Sequence, residues 1–417
     1  MKYFKQIYQH FQTDSLFRNS VYLILSTGVM SLFGFGFWFI NARIFNTEDI
    51  GIATAIISAI TIISQLSLLG FNNSFIRFLP KSKNPNLLIN SLLNTSSMLT
   101  LIISTLFVLI IPWLFPTLNF ISNNYLFAIT FIIISVFFPI NTLLESIFIS
   151  FKKAKYVLWK NVVISIVKVS LPLLLIYLAA FGIFISFMAS LVIGVILGII
   201  ILSRTINYKP QLIIDRTQLS LMKKFTFHNY LASLFSMLPS QGLPLLIANY
   251  ISPRQAAFFY IDMMIINLIN IIPISIGQSL YAESSHNEKN IHQFIKRASI
   301  LMIGILIPVI ICISIFGRFA LSIFGKDYAT EGFAFLQILS FSTLFYCISI
   351  LGGNLMNLKN RTSILIIMGV IYACSVFGWS YVFRSLQLIG IGYSLLISQA
   401  TISIIYGLLI IKEIKKK

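Results

Sequence analysis

The chain consists of long hydrophobic runs separated by short polar breaks. Each run has about 20 residues and would cross a hydrocarbon core of roughly 30 Å as an α-helix. The pattern predicts an all-α, polytopic membrane protein whose first run is a signal anchor, because that run is too long for a cleavable signal peptide and lacks a small-residue cleavage site. The runs define twelve predicted spans, near residues 20–41, 51–73, 88–111, 125–148, 157–179, 182–203, 227–249, 256–280, 297–317, 334–356, 362–383 and 387–411.

The basic residues predict the orientation of these spans. Of the 30 lysines and arginines, 24 fall in connections on the side that holds both termini, five fall on the other side, and Lys168 lies within a span. Cytoplasmic loops carry the excess of Lys and Arg, so both termini are expected in the cytoplasm. A wrong helix count would scramble this alternation, which therefore also supports twelve spans. The net charge of +19 is explained by topology, and a nucleic-acid partner is not expected.

The composition also argues against a soluble domain and against enzyme activity. The chain is 58% hydrophobic and 10% charged, with a mean hydropathy of +0.92. Its three cysteines, Cys312, Cys347 and Cys374, fall in apolar segments, where packing is the expected role and a disulfide or metal site has little support. No CxxC, HExxH, P-loop or paired-carboxylate pattern occurs, so we expect no enzyme activity and no cofactor.

The expected domain organisation is two similar halves behind a short amphipathic helix. Residues 1–18 place Phe4, Ile7, Tyr8 and Phe11 at helical spacing opposite two lysines, which predicts a helix in the cytoplasmic interface. Residues 19–205 form an N-terminal six-helix lobe, 206–225 a cytoplasmic linker and 226–417 a C-terminal six-helix lobe.

An internal repeat relates the two predicted lobes. Aligning Phe45 with Ile251, an offset of 206 residues, superposes two polar elbows that each precede an apolar helix. An even number of helices per half makes the repeat parallel, with its pseudo-axis along the membrane normal.

Lys168 interrupts the fifth span, in the stretch ISIVKVSLPLLLIYLAAF. A charge near the bilayer centre costs roughly 2.5 to 17 kcal/mol, so it normally faces a cavity, a partner or a substrate. The lysine lies about 24 Å from the preceding cytoplasmic turn at 1.5 Å per residue, which is too deep for Glu145 to reach. Lys168 therefore needs another partner.

Two segments resemble a known transporter family. The run FINARIFNTEDIGIATAIISAITIISQLSLLGFNNSFIRFLPK, which begins at Phe39, resembles the opening of O-antigen flippase (Wzx-like) polysaccharide transporters, with an acidic elbow before Gly51 and a glycine-led polar segment ending at Arg77. The stretch FGKDYATEGFAFLQILS, from Phe324, is similar to the family's loop before helix ten. The resemblance covers essentially the whole chain and specifies the superfamily better than the substrate.

The resemblance implies a fold, a mechanism and a substrate class. The superfamily of multidrug, oligosaccharidyl-lipid and polysaccharide exporters has two six-helix lobes around a central cavity and works by alternating access. Its lipid-linked oligosaccharide flippases carry a polyprenyl pyrophosphate-linked glycan, such as an O-antigen (lipopolysaccharide) or capsule repeat unit, to the outer leaflet. The chain is accordingly expected to be a monomeric, multi-pass protein of the bacterial inner membrane, in contact with membrane lipids and with glycan polymerase and glycosyltransferases as partners.

Arginines at the cytoplasmic ends of the first two spans are candidate pyrophosphate ligands. Arg18 and Arg77 either snorkel to lipid headgroups or ring the mouth of an inward-open cavity. Guanidinium binds two phosphate oxygens at once, which suits a pyrophosphate. Arg77 is the stronger candidate, because Asn72 and Asn73 precede it and could meet sugar hydroxyls.

Two carboxylates within the spans are coupling or gating candidates. Glu145 lies at a depth where it either contributes to coupling or forms an interfacial ion pair with Lys160. Asp262 lies in the outer part of span eight, at a depth comparable with that of Lys168. We expect Lys168 and Asp262 to approach in one state of the cycle; the alternative is that Asp262 bonds water or a headgroup at the outer end.

The seventh span carries the remaining candidates. His228 and Asn229 begin this span. They either line the substrate cavity, where a histidine could change charge near physiological pH, or pack at the interface. Pro239 and Pro244, around Gly242, are the strongest hinge candidate, because each proline removes a helix hydrogen bond.

Two other functions stay open at this stage. The first is a cation-coupled multidrug exporter on the same scaffold, which typically places carboxylates in its cavity. The second is an accessory membrane subunit that only assembles a glycan-synthesis complex and should tolerate neutralisation of Lys168. Neighbouring glycosyltransferase and polymerase genes would favour the flippase.

Overall fold

The computed structural model describes residues 15–286, 291–359 and 361–415 and shows an all-α protein, as predicted. Most of the predicted interfacial helix, residues 1–14, lies outside these ranges. Eleven helical segments of the described chain are long and apolar enough to cross a membrane. The predicted seventh span, 227–249, lies within a 35-residue helix not counted among those eleven, so the number twelve and the cytoplasmic termini stay predictions.

The chain divides into two compact units, one up to Leu234 and one from Phe235 onward. The division falls within a helix, ten residues beyond the predicted linker. The helices are, in order, α1 (Ser15–Ile44), α2 (Thr47–Leu68), α3 (Phe71–Phe78), α4 (Pro85–Leu114), α5 (Tyr125–Ser135), α6 (Phe137–Ser150), α7 (Ala154–Ser170), α8 (Ala179–Ile206), α9 (Arg216–Tyr250), α10 (Pro253–His286), α11 (Ile291–Ser322), α12 (Phe333–Leu358), α13 (Thr362–Val382) and α14 (Gln387–Lys415).

Local chemistry sets the helix ends near the candidate site. The predicted second span ends early, because Leu69 and Gly70 both adopt the left-handed conformation (φ 46° and 80°) and start a new helix, α3. α4 begins with Pro85 behind Asn84, whose side chain accepts a hydrogen bond from the Leu87 amide at 3.3 Å. Both are ordinary helix-start signals.

Each unit has its own apolar core. The first unit packs α3, α4, α6 and α8 around fully buried residues such as Phe75, Leu144 and Phe148. The second packs α11, α12 and α14 around residues such as Met302 and Met356. The helices are apolar on their outer faces as well as on the faces that form these cores, which is the composition expected of helices surrounded by hydrocarbon.

The two units repeat one order of elements. α2 and α10 begin 206 residues apart, at Thr47 and Pro253, while α8 and α14 begin 208 residues apart, at Ala179 and Gln387. These separations match the offset of 206 read from the sequence and support the predicted internal repeat.

α8 and α14 begin at the same unusual corner, one in each unit. A 3₁₀ turn, Ile176–Leu178 or Arg384–Leu386, leads to a residue with positive φ, Ala179 (φ 50°, ψ −134°) or Gln387 (φ 52°, ψ −132°). Three residues later Gly182 and Gly390 face a backbone carbonyl so closely that a Cβ would lie 2.2 Å and 2.1 Å from its oxygen. Only glycine fits there without backbone movement.

Candidate functional site

Lys168 lies at the end of α7 and is 6% exposed. Its ammonium stands over two aromatic rings, 5.7 Å from the centroid of Phe37 in α1 and 5.6 Å from that of Phe187 in α8. In the part of the chain that the structure describes, no carboxylate forms an ion pair with it. Ring faces attract a cation but leave its hydrogen-bond donors unused, so this ammonium is available to an anion.

The backbone changes form directly after Lys168. The α-helix ends at Ser170 and continues as 3₁₀ turns, because Pro172 has no N–H to donate within an α-helix. The lysine is therefore two residues from the end of the regular helix rather than near its middle. Two hydrogen bonds hold α7 against α1 and so set the position of Lys168. Asn161 donates to Ser26 at 3.0 Å, and the Ala154 amide donates to Asn19 at 2.9 Å.

A second buried lysine, Lys160, lies two turns before Lys168 on the same face of α7. It is 1% exposed and has two partners on α6: Glu145, at 3.0 Å, and the side-chain oxygen of Asn141. The ion pair that one of the two sequence alternatives predicted for Glu145 is thus present. Its role in coupling or gating stays a prediction. Asn141 was not identified from the sequence, because nothing in its own span marks it.

The arginine and asparagine candidates of the first two predicted spans lie on two separate helices. Arg77 is exposed near the end of α3, where its guanidinium stands 5.5 Å from the ring centroid of Phe78, and Asn72 and Asn73 are half-buried in the first turn of that helix. Arg18 is half-buried in the first turns of α1. Arg77 and the two asparagines therefore lie on a short helix of their own, separate from α2.

The α9 candidates are described only in part. The side chains of His228 and Asn229 lie outside the described residues. Pro239, Gly242 and Pro244 lie within a helix assigned as continuous from Arg216 to Tyr250, and Gly242 faces the Phe377 ring, 3.1 Å from where a Cβ would stand. The division between the two units falls five residues before Pro239. The hinge stays a prediction.

Asp262 is completely buried in the second unit. Neither carboxylate oxygen has a hydrogen-bond partner among the described residues, and Gly332 lies so close that a Cβ there would stand 3.1 Å from one of them. Asp262 is thus buried rather than exposed at the end of its helix, and the alternative in which it bonds water or a headgroup stays a prediction. Arg254, in the same unit, is 2.7 Å from Glu331 and 3.1 Å from Asp327. The predicted approach of Lys168 and Asp262 stays a prediction.

An asparagine ladder on α4 holds the segment between α8 and α9, and sequence reasoning missed it. Asn86, Asn90 and Asn94 lie one turn apart and donate to backbone carbonyls of the extended segment 207–215. Asn90 is the central rung: it donates to the Lys209 carbonyl at 3.0 Å and accepts from the Tyr208 hydroxyl at 2.6 Å and the Gln211 amide at 3.1 Å. The four-residue spacing was the available signal, but its partner lies about 120 residues away.

Tyr208 is the linker residue whose side chain donates to the ladder, at Asn90. The residue is 5% exposed, and burial raises the pKa of its hydroxyl to about 12. The phenol is therefore a neutral donor throughout the physiological range. The linker is held by neutral hydrogen bonds, which salt does not screen.

Comparisons with known proteins agree on the fold. A profile of the family described as "Polysaccharide biosynthesis protein" matches residues 16–281. Among solved structures, the lipid II flippase MurJ, inward closed, has a TM-score of 0.75 at 14% identity, covering 94% of this chain and 87% of that one. No curated protein sequence matches the chain significantly.

Two other structures share the fold at similar distance. An inward-facing multidrug resistance MATE family transporter of the MOP superfamily has a TM-score of 0.63 at 14% identity, covering 96% of each chain. A MOP superfamily transporter from Pyrococcus furiosus has a TM-score of 0.60 at 14% identity, covering 97% of this chain and 96% of its own. At these identities, the likeness establishes the transporter fold and leaves the substrate open.

Proposed function

The chain belongs to the polysaccharide biosynthesis protein family, and from this premise we propose that it is a flippase for lipid-linked oligosaccharide. It would carry a polyprenyl pyrophosphate-linked repeat unit, of O-antigen or capsule type, from the cytoplasmic to the outer leaflet by alternating access. We place it in the bacterial cytoplasmic membrane with both termini inside. Glycosyltransferases and a polymerase would act before and after it.

Lys168 is the observation that carries this proposal. A buried ammonium is expensive within a membrane span, and one without a carboxylate partner among the described residues is more expensive still. The substrate's pyrophosphate is an anion of the opposite sign, and it must cross an apolar slab. A single fixed cation lowers that barrier, and the two rings keep the ammonium in place while the site is empty.

The remaining candidates fit the path of such a substrate. Arg77 would capture pyrophosphate at the cytoplasmic side through paired donors, and Asn72 and Asn73 would meet the first sugar. Glu145 already neutralises Lys160, which leaves Lys168 as the buried charge of α7 that has no carboxylate partner among the described residues. No bond is made or broken in this process, so catalytic residues are not required.

The test is flipping by variants of Lys168 that insert normally. Lys168→Ala and Lys168→Glu should lose surface glycan and accumulate lipid-linked repeat units, with Glu the worse, while Lys168→Arg keeps much of the activity. Lys155→Ala is the matched control, since this lysine is exposed on the same helix. Normal glycan export by well-expressed Lys168→Ala would refute the role of this cation.

Arg77 has a separate test. If Arg77 binds two phosphate oxygens at once, Arg77→Lys should impair flipping while membrane insertion stays normal, because an ammonium cannot make the paired contact. Equal surface glycan in Arg77→Lys and wild type would favour simple anchoring to headgroups.

A cation-coupled multidrug exporter is the second candidate, and Asp262 is the observation that favours it. A buried carboxylate without a described partner is the kind of group that binds a proton or a cation during transport. An exporter should confer drug resistance that Asp262→Asn abolishes. A flippase should leave drug resistance unchanged when the gene is deleted, while surface glycan is lost.

A further inference from the structure

A cavity of about 190 Å³ lies within the second unit, between α9, α10, α12, α13 and α14. It opens beside Ser240 and Asn267, both of which are exposed. Pro239, one of the hinge candidates, forms part of its wall. None of the sequence candidates for substrate binding lines it, so its role needs a separate explanation.

The lining of this cavity is polar and uncharged. Nine of its sixteen lining residues carry a hydroxyl or an amide, and none carries a formal charge. Asn267, Asn270 and Gln399 supply amides, while Tyr346 and Tyr372 supply hydroxyls on aromatic rings. Polar side chains within membrane helices are expensive unless they serve a path or a site.

One acceptor at the cavity is unsatisfied. The side-chain oxygen of Asn270 is buried and has no hydrogen-bond partner among the described residues. The amide of Gln399, by contrast, is held in place by donating to Ser349 at 2.8 Å. A buried acceptor without a donor is unfavourable, and a ligand that donates to it recovers the loss.

The chemistry of the lining selects one class of ligand. A pyrophosphate would find no cation here, and a metal ion would find no carboxylate among the lining residues, although hard cations favour carboxylate oxygens. Sugar hydroxyls both donate and accept, as amides and phenols do, and the apolar face of a sugar ring packs on aromatic rings. An acyl chain would offer no donor to the buried side-chain oxygen of Asn270.

We propose that the cavity between α9, α10, α12, α13 and α14 is a neutral-saccharide subsite that holds a sugar of the transported glycan. This inference rests on the proposed flippase function and adds a division of tasks to it. The cationic group of the first unit serves the pyrophosphate, and the uncharged cavity of the second serves the glycan. Glycan recognition is thus separated from charge recognition.

The first experiment tests binding without transport. Ser240→Cys, in a background in which the three native cysteines are alanine, places one thiol at the cavity mouth for alkylation by a maleimide in detergent. N,N′-diacetylchitobiose or lactose should slow alkylation, whereas inorganic pyrophosphate should not. Ser363→Cys, exposed on α13 and outside the cavity, is the control that no sugar should protect.

Two substitutions decide whether the protection arises in this cavity. Asn270→Leu should weaken protection about tenfold, the equivalent of one lost hydrogen bond. Thr343→Val should also weaken protection by the disaccharides. Thr401→Val is the control that should not, because Thr401 makes the same kind of bond to its own helix but is exposed and does not line the cavity. The proposal is overturned if neither disaccharide protects Ser240→Cys, or if folded Asn270→Leu and Thr343→Val are protected like the parent.

The second experiment separates failure of this site from failure of the proposed function. Vesicles containing the protein are supplied with undecaprenyl pyrophosphate carrying a chitobiose unit, or with undecaprenyl pyrophosphate alone. Asn270→Leu should slow flipping of the glycan-bearing lipid about tenfold and leave the bare lipid unaffected. Equal slowing of both lipids would overturn the subsite. Wild type that flips neither lipid would refute the flippase, while the alkylation result would still stand on its own.

Discussion

Removing the central rung of the asparagine ladder should release the linker segment 207–215 from α4. Asn90→Ala eliminates the bond to the Lys209 carbonyl and those from Tyr208 and Gln211. Each bond contributes about 0.5 to 1.5 kcal/mol. Because Lys209 and Gln211 are exposed and water can replace part of the loss, we expect roughly 2 to 3 kcal/mol in total. This corresponds to about 30- to 160-fold in the opening equilibrium.

Hydrogen exchange measures this opening at a distance from the change. The Asp215 amide donates to Ser91 at 2.9 Å, one bond beyond the removed rung. If the linker opens as a unit, exchange at Asp215 in Asn90→Ala should accelerate by that 30- to 160-fold factor. Mass spectrometry of peptides from the segment, in detergent, measures this exchange. Asn86→Ala, which loses one 3.4 Å contact, should accelerate it about twofold.

The control and the refuting outcome follow from the same geometry. Asn123→Ala changes an exposed asparagine in the connection between α4 and α5, outside the ladder, and should leave exchange at Asp215 unchanged. Exchange at Asp215 within about twofold of wild type in Asn90→Ala would show that the rungs act independently, and the reasoning would be refuted.

Three further predictions concern titration, charge and close packing. Burial raises the pKa of Tyr208 from 10.0 to about 12, so the stability that its neutral hydroxyl contributes is complete below pH 10 and is lost as the pH rises toward 12. Between pH 10 and 12, exchange of the linker amides, corrected for intrinsic rates, should therefore rise in wild type but not in Tyr208→Phe. Glu145→Gln should lower stability in detergent by roughly 1 to 3 kcal/mol, because it leaves the buried ammonium of Lys160 without a counter-charge; unchanged thermal unfolding would contradict this. Gly390→Ala should fail to accumulate as folded protein, since its Cβ would stand 2.1 Å from a carbonyl oxygen, while Gly378→Ala, with nothing within 4 Å, should be tolerated when both are compared by size-exclusion chromatography.

Periodic and compositional features of the chain were predictable, and those that depend on distant partners were not. Apolar run lengths located the helices, and the separation of Lys168 from Glu145 correctly indicated that they do not pair. The rings that surround Lys168 come from two other helices, so no local pattern marks them. The break at Leu69 was missed because a leucine with positive φ has no sequence signature, although Gly70 beside it does.

The candidate cavity and the linker show the same division. Asn267 and Asn270 lie on one helix and Gln399 on another, and each alone reads as an ordinary polar residue in a span. Only the packing of five helices makes them neighbours. Likewise, the ladder on α4 has a helical period, but its partner is an extended segment, which periodicity cannot identify.

The corner that precedes α8 and the corner that precedes α14 bear on the ancestry of the chain. Ala179 and Gln387 adopt nearly the same rare conformation 208 residues apart, each followed three residues later by a glycine against a carbonyl, although the residues at the corner itself differ. Tandem duplication of a six-helix gene leaves this kind of trace, because backbone geometry outlasts side-chain identity. A substitution that is tolerated at one corner is therefore expected to be tolerated at the other. A chimera that exchanges the Ala179 and Gln387 segments would measure how far the two halves have diverged.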